Sequence, residues 1–382
     1  MNINLESYKY LPILSLKPSE MAALEELSDK EKDQILPLIE LKRWSTSKSI
    51  DKSYDRINKA LSTRYLIADL DLDFINSIPD KIEDLEMEGK DIPDVFYEFS
   101  ELSESKDGYK NWVSYINEYD NLIPVVQIQD LDEISDQLNS FEHLNRPIVF
   151  RLRMTGLHSI NAKTLNFIVK TLIEKKIKNK MLIILDYGDL NRIDVLEYEK
   201  YAKLINQLVS FFPNAKFSVS GTSFPYSFTG SYRGEIPIYE RQIFNKLLHE
   251  CKDVDLIYSD RGSTRAESLT GSSGTPPPRI DYALKNDWRF IRKEFDKSDE
   301  DKYSNKDTLY KEAAIELKSQ DYWISDLPAW GRQMIEKTAL GDPYGITSPQ
   351  RATAVRINLH LHQQLHYFTE IDEIDTEDDW ED

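Results

Sequence analysis

The residues of this chain best suited to chemistry come in pairs two apart: Arg151 and Arg153, Asp69 and Asp71, Glu40 and Lys42, Ser15 and Lys17, Gln127 and Gln129. Each pair ends a short apolar run. Side chains two apart share one face of an extended strand. In the run 147–153, Ile148, Phe150 and Leu152 form one face, and Val149, Arg151 and Arg153 form the other. The same alternation puts Asp186 after Ile184, and Ser218 before Ser220. In the run 255–261 two registers stay open, one presenting Tyr258 and Asp260, the other Ser259 and Arg261.

Guanidinium and ammonium groups gathered at strand ends suit an anion, phosphate above all, because guanidinium matches phosphate oxygens bidentately. The candidate ligand-binding residues are Lys17, Lys42, Gln127, Arg151, Arg153, Ser220, Asp260, Arg261 and Arg279. Glu40, Asp69, Asp71 and Asp186 are the candidate catalytic carboxylates, and Asp186, Glu40 or Asp69 is the candidate general base, each near enough to basic groups to be tuned. Asp69 and Asp71 are also candidate oxygen ligands for Mg²⁺. A second reading stays open, in which acids and bases only pair with one another and close the top of a core.

Other chemistries lack their residues. None of the six histidines falls on an expected strand, which weakens histidine-dependent phosphodiesterase and zinc-hydrolase readings. His362 and His366 have the i,i+4 spacing of a metal pair, but no third ligand is evident in the sequence. The single cysteine, Cys251, ends an expected helix and reads as packing. No phosphate loop, dinucleotide fingerprint or nucleophile elbow occurs.

The elements that must position these residues alternate in type. Eight apolar runs, at 10–17, 36–42, 65–71, 123–129, 147–153, 181–186, 216–221 and 255–261, have strand length and composition. The connectors, including 18–27, 160–177, 194–212 and 237–251, carry helical spacing. Eight such units over about 260 residues predict an eight-stranded parallel (β/α)8 barrel of the TIM type, with the charged strand ends at its C-terminal mouth. A doubly wound open sheet is the alternative. The loops at 222–236, with Gly230, Arg233 and Gly234, and 262–279, with Arg265 and Arg279, occupy the positions that often hold phosphate in this fold. A short strand at 288–294 and helices at 306–321, 327–339 and 350–368 follow. The expected division is a barrel at 1–295, a helical appendage at 296–368 and an acidic, disordered tail at 369–382.

Composition narrows the function class. With 382 residues, 40% of them hydrophobic, the chain can bury a full core. A net charge of -19 argues against coating nucleic acid, which needs basic surface. Nine of the acids lie in residues 370–382. One cysteine allows no internal disulfide and suggests a reducing cytoplasm. No apolar run is long enough to span a bilayer.

The segments Tyr10-Leu-Pro-Ile-Leu-Ser-Leu-Lys17 and Ile35-Leu-Pro-Leu-Ile-Glu-Leu-Lys42 resemble the beta protein family of tailed phages and bacteria. So do Ile123-Pro-Val-Val126, Arg151-Leu-Arg153, Leu185-Asp-Tyr-Gly188, Ser259-Asp-Arg-Gly262 and Pro276-Pro-Pro-Arg279. The likeness covers most of the chain except the acidic tail. It implies an accessory role in phage and mobile-element biology, and through that a part in phage–host conflict or antiviral defence. It implies no particular reaction. Two functions fit the residues: a hydrolase or phosphodiesterase acting on a phosphorylated or nucleotide-derived anion, and a non-catalytic sensor that binds such an anion or a phage or host protein. A third is an acidic decoy acting through the tail.

Overall fold

The computed structural model describes residues 3–228, 231–267, 275–295, 303–370 and 373–374. Gly230, most of the acidic tail and part of the loop after the eighth expected strand lie outside these residues. Each of the eight expected runs overlaps a strand: β1 (Tyr10–Ser15), β2 (Leu38–Leu41), β3 (Leu66–Leu70), β4 (Leu122–Pro124), β5 (Ile148–Arg153), β6 (Met181–Asp189), β7 (Lys216–Thr222) and, eighth in that series, β9 (Tyr258–Asp260). Three further strands are β8 (Arg233–Pro237), β10 (Arg279–Ala283) and β11 (Asp287–Arg292).

The parallel α/β character is as expected, but the eight-stranded barrel is not. Five strands form one parallel sheet in the order β4-β3-β2-β1-β9, and three form another in the order β5-β6-β7. Among the described residues the backbone pairing between the two sheets consists of isolated bridges, Val125 to Val149 and Phe217 to Leu256, and not of ladders. Local chemistry explains both breaks. β4 is three residues long and ends in Pro124, which has no N–H to donate. The next carbonyl, Val125, accepts from the side chains of Trp112 and Gln127 at 3.1 and 3.2 Å. At the other seam the Ile257 carbonyl accepts from Ser218 Oγ at 2.8 Å. At this second seam a side chain thus takes an acceptor that faces the neighbouring strand.

The two parallel sheets share an apolar core that includes Leu11, Ile13, Leu38, Ile67, Ile123, Val125, Val149, Leu182, Ile184 and Ile257. These are the inward residues of the two-residue alternation, and they settle the register of β9. Ile257 joins the apolar layer, Ser259 Oγ donates to Leu11 O, and Arg261 follows on the same face. Asp260 points the other way. Tyr10, Ile39, Ala68, Phe150, Ile183 and Phe217 face the surrounding helices in a second, larger core.

Of the two loops expected to cradle phosphate, 222–236 runs into β8 and 262–279 ends where β10 begins. With β11, these two strands form a three-stranded antiparallel sheet in the order β10-β11-β8. Trp288, Phe290, Tyr282 and Ile280 of this sheet pack with Tyr310, Leu317, Met334, Ile335, Val355 and Leu359 of the helices Lys306–Lys318, Trp330–Leu340 and Pro349–Leu365. The last helix is capped by Ser348, whose side chain accepts from Arg351 N, and Pro349 follows in the first turn. It is buried on nearly every side. No helix among the described residues is long and apolar enough to cross a membrane.

Candidate functional site

Parallel register lines up the strand-end residues. Ser15 pairs with Glu40, Glu40 with Asp69, Arg153 with Asp186, and Asp186 with Ser220. Arg151 lies at the centre. Its Nη1 donates to Glu40 at 2.7 Å and Asp69 at 2.9 Å, while Nε and Nη2 donate to Asp186 at 2.9 and 2.7 Å. Arg153 Nη2 adds a bond to Asp69 at 3.1 Å, and Arg261 Nη2 one to Asp186 at 2.7 Å. Gln127 Nε2 donates to Asp69 at 3.2 Å. A bulge in β6 between Asp186 and Asp189 turns Gly188 N onto the other Asp186 oxygen at 3.1 Å.

This network fixes charge states. Burial alone would raise the carboxyl of Glu40, but Arg151, Arg261 and Arg153 outweigh it and hold the group down to about 2. Asp186 is likewise pulled below the usual carboxylate range by Arg261 and Arg151 against the cost of burial. Arg151 is disfavoured by burial yet held charged by Glu40, Asp186 and Asp69. These carboxylates are therefore ionised across the physiological range and cannot donate protons.

Above the network opens a cleft of about 230 Å³ lined by Ser15, Lys17, Glu40, Lys42, Asp71, Arg153, Asp186, Arg261 and Arg265, among others. The loop after β5 supplies Thr155 and His158. His158 Nε2 lies 2.8 Å from Asp73 Oδ1. Sequence reasoning missed His158 because it sought histidines on strands, whereas loops after strands carry site residues in parallel α/β folds.

The candidate residues divide by place. Lys17, Lys42, Glu40, Asp71, Arg153, Asp186 and Arg261 meet at the cleft. Arg151, Asp69 and Gln127 lie in the network beneath it. Ser220 is buried, with its hydroxyl unpartnered. Asp71 is committed to Lys42 at 2.8 Å and to capping the helix Leu72–Asn76 through Phe74 N at 2.9 Å. Asp69 accepts from Arg151 and Arg153, so both carboxylates of the expected Mg²⁺ pair already have cationic partners. Asp260 and Arg279 are elsewhere. Asp260 is fully buried and receives Tyr10 and Tyr258 hydroxyls at 2.5 and 2.7 Å. His360 Nε2 lies 2.8 Å from it. Arg279 pairs with Asp281 at 3.0 Å and stacks on Phe228, 3.5 Å from the ring centroid.

Fold and cleft together define a parallel α/β protein whose strand-end cleft is floored by an arginine-centred ion network. The chain matches the model of the Beta protein family over residues 10–366 and belongs to that family. It is 31% identical over 373 residues to "Protein beta" of Enterobacteria phage P4, an alignment spanning 96% of this chain and 95% of that protein. It is accordingly a phage-related protein.

Proposed function

We propose that the cleft binds a phosphorylated or nucleotide-derived anion, and that the protein does so within phage–host conflict. The observation that carries this reading is a group of uncommitted hydrogen-bond donors at the cleft. Of its acids, Glu40, Asp71, Asp73 and Asp186 are engaged by Arg151, Arg153, Arg261, Lys42 and His158, while Asp189 accepts from the Tyr226 hydroxyl and Glu267 stands at the rim. Its cations are less so. Among the described residues the one carboxylate near Lys17 Nζ is Glu20 at 3.9 Å, and the Lys17 side chain is 44% exposed. Arg153 uses a single terminal nitrogen, and Arg261 Nε is buried without a partner. Ser15 Oγ beside them is also unpartnered. Lysine and arginine can only donate, so a ligand rich in acceptors suits the site.

Binding without turnover fits the locked carboxylates best. A specific pair favours the second reading, hydrolysis of a phosphate ester: His158 with Asp73 at the rim, where an oriented imidazole can move a proton. One experiment separates them. The purified chain is tested against nucleotides and phosphodiesters, with and without Mg²⁺, by thermal shift and product release. A ligand that raises Tm in the wild type but not in Lys17→Ala, with no product formed, supports the sensor. Product formation lost in His158→Gln supports the hydrolase. If Lys17→Ala responds to every compound as the wild type does, the anion-binding reading fails. The conflict role predicts that expression lowers phage plating, and that the combined Lys17→Ala and Arg153→Ala change abolishes the effect.

A further inference from the structure

Away from the cleft, the C-terminal helix Pro349–Leu365 and the residue that caps it bring two imidazoles against one buried carboxylate. His362 Nδ1 lies 2.6 Å from Glu31 Oε1, and His366 Nε2 lies 3.5 Å from the same oxygen. All three residues are buried, and each can present one ligand atom within 4.8 Å of the others. Nothing in the cleft uses them. We propose that Glu31, His362 and His366 form a transition-metal site of the Zn²⁺ class that fastens the end of the chain to its beginning.

Three features carry the assignment. The donor set is two imidazoles and a carboxylate, a combination typical of zinc. The Glu31 carboxylate is already oriented. Its Oε2 accepts from Ser28 N at 3.0 Å and Ser28 Oγ at 2.9 Å in a capping box, which leaves Oε1 turned to the histidines. The Nε2 atom of His366 faces Glu31 yet is buried without a hydrogen-bond partner, an arrangement that costs free energy unless something occupies the site.

The spacing is close to what a metal requires. Bonds near 2.0–2.1 Å at the tetrahedral angle place neighbouring ligand atoms about 3.3 Å apart. The Glu31–His366 separation of 3.5 Å matches that edge. The Glu31–His362 separation of 2.6 Å is a hydrogen bond, and His362 must withdraw by roughly 0.7 Å to make room. The entering cation takes the Nδ1 lone pair of His362 as the neutral imidazole moves its proton to Nε2. Water takes the fourth position, as in other sites with three protein ligands.

The test uses the full-length, tag-free chain. It is stripped with a chelator, reloaded with Zn²⁺ or Co²⁺, desalted, and assayed for metal content, visible absorption and circular dichroism. The expected result is about one ion per folded chain, with the Co²⁺ bands of a four-coordinate nitrogen and oxygen site. His366→Gln should retain at least tenfold less metal, while His143→Gln retains it fully. A folded wild type that keeps no metal overturns the proposal, as does a folded His366→Gln with an unchanged Co²⁺ spectrum. Should His366→Gln fail to fold, Glu31→Gln replaces it under the same criterion, and the wild-type result decides by itself. Failure here leaves the cleft reading untouched, since the two sites share no residue.

Discussion

Arg151 shows how one side chain can hold a whole site. It is fully buried and donates to three carboxylates from three strands. Arg151→Met leaves Asp69, Asp186 and Glu40 without their central cation. The expected loss is ~3–5 kcal/mol of stability, read from denaturant unfolding. Arg151→Lys should recover little of this, because a single ammonium cannot span three partners. Glu240 makes a different prediction. Burial, and then the nearby Asp260 charge, push its carboxyl up to about 8. Hydrogen bonding agrees, since Ser223 Oγ lies 2.6 Å from Glu240 and 2.9 Å from the Pro237 carbonyl, and one hydroxyl proton cannot serve both. A protonated Glu240 supplies the second. The folded state thus keeps a proton that the unfolded chain releases near pH 4.5. Its contribution is complete below that pH and is lost as pH rises toward 8. Glu240→Gln should flatten this fall in Tm between pH 5 and 8 by several degrees, as scanning calorimetry would record.

At the scale of elements, the C-terminal helix is anchored to the parallel sheet by a polar chain. Trp288 Nε1 donates to His360 Nδ1 at 3.2 Å, so the imidazole proton sits on Nε2 and is given to Asp260 on β9. Arg241 adds a second tie. Its guanidinium lies 3.3 Å from the Tyr258 ring centroid and donates to Gln364 at 2.7 Å. His360→Ala removes one acceptor and one donor in a dry setting and should cost ~2–4 kcal/mol, with the loss measured in urea. The turn after β9 is equally constrained. Gly262 has φ +55°, and a Cβ there would stand 2.6 Å from Leu14 Cδ2. Gly262→Ala is therefore expected to destabilise by ~1–3 kcal/mol through strain and overpacking.

For the whole molecule, the helix Pro349–Leu365 acts as interior structure. It packs on β10, on β1 and on the helix Pro18–Glu25, and Asn358 Nδ2 donates to Ala23 O at 3.1 Å. A chain ending at Thr347 would expose parts of two apolar cores, from Ile357 and Leu361 on one side to Val355 and Leu359 on the other. Such a chain is expected to lose cooperative unfolding, as seen by loss of near-ultraviolet dichroism and a broad thermal transition.

The sequence by itself determined the strands, their inward faces and the charged residues at their ends, because a two-residue alternation and apolar run length are local properties of the chain. Lys17, Lys42, Glu40, Arg153, Asp186 and Arg261 were legible as cleft residues on that basis. Tertiary structure decided the rest. The continuous barrel fails at two seams, where Pro124 has no N–H to give and Ser218 takes the Ile257 carbonyl, and such competition appears only when distant segments meet. The end of the 222–236 loop became β8 through pairing with β11. Asp260 turned away from the cleft toward His360, one hundred residues later. Which charges pair, which remain open to a ligand and which histidine meets Glu31 depend on separations across the whole chain, and no local pattern encodes them.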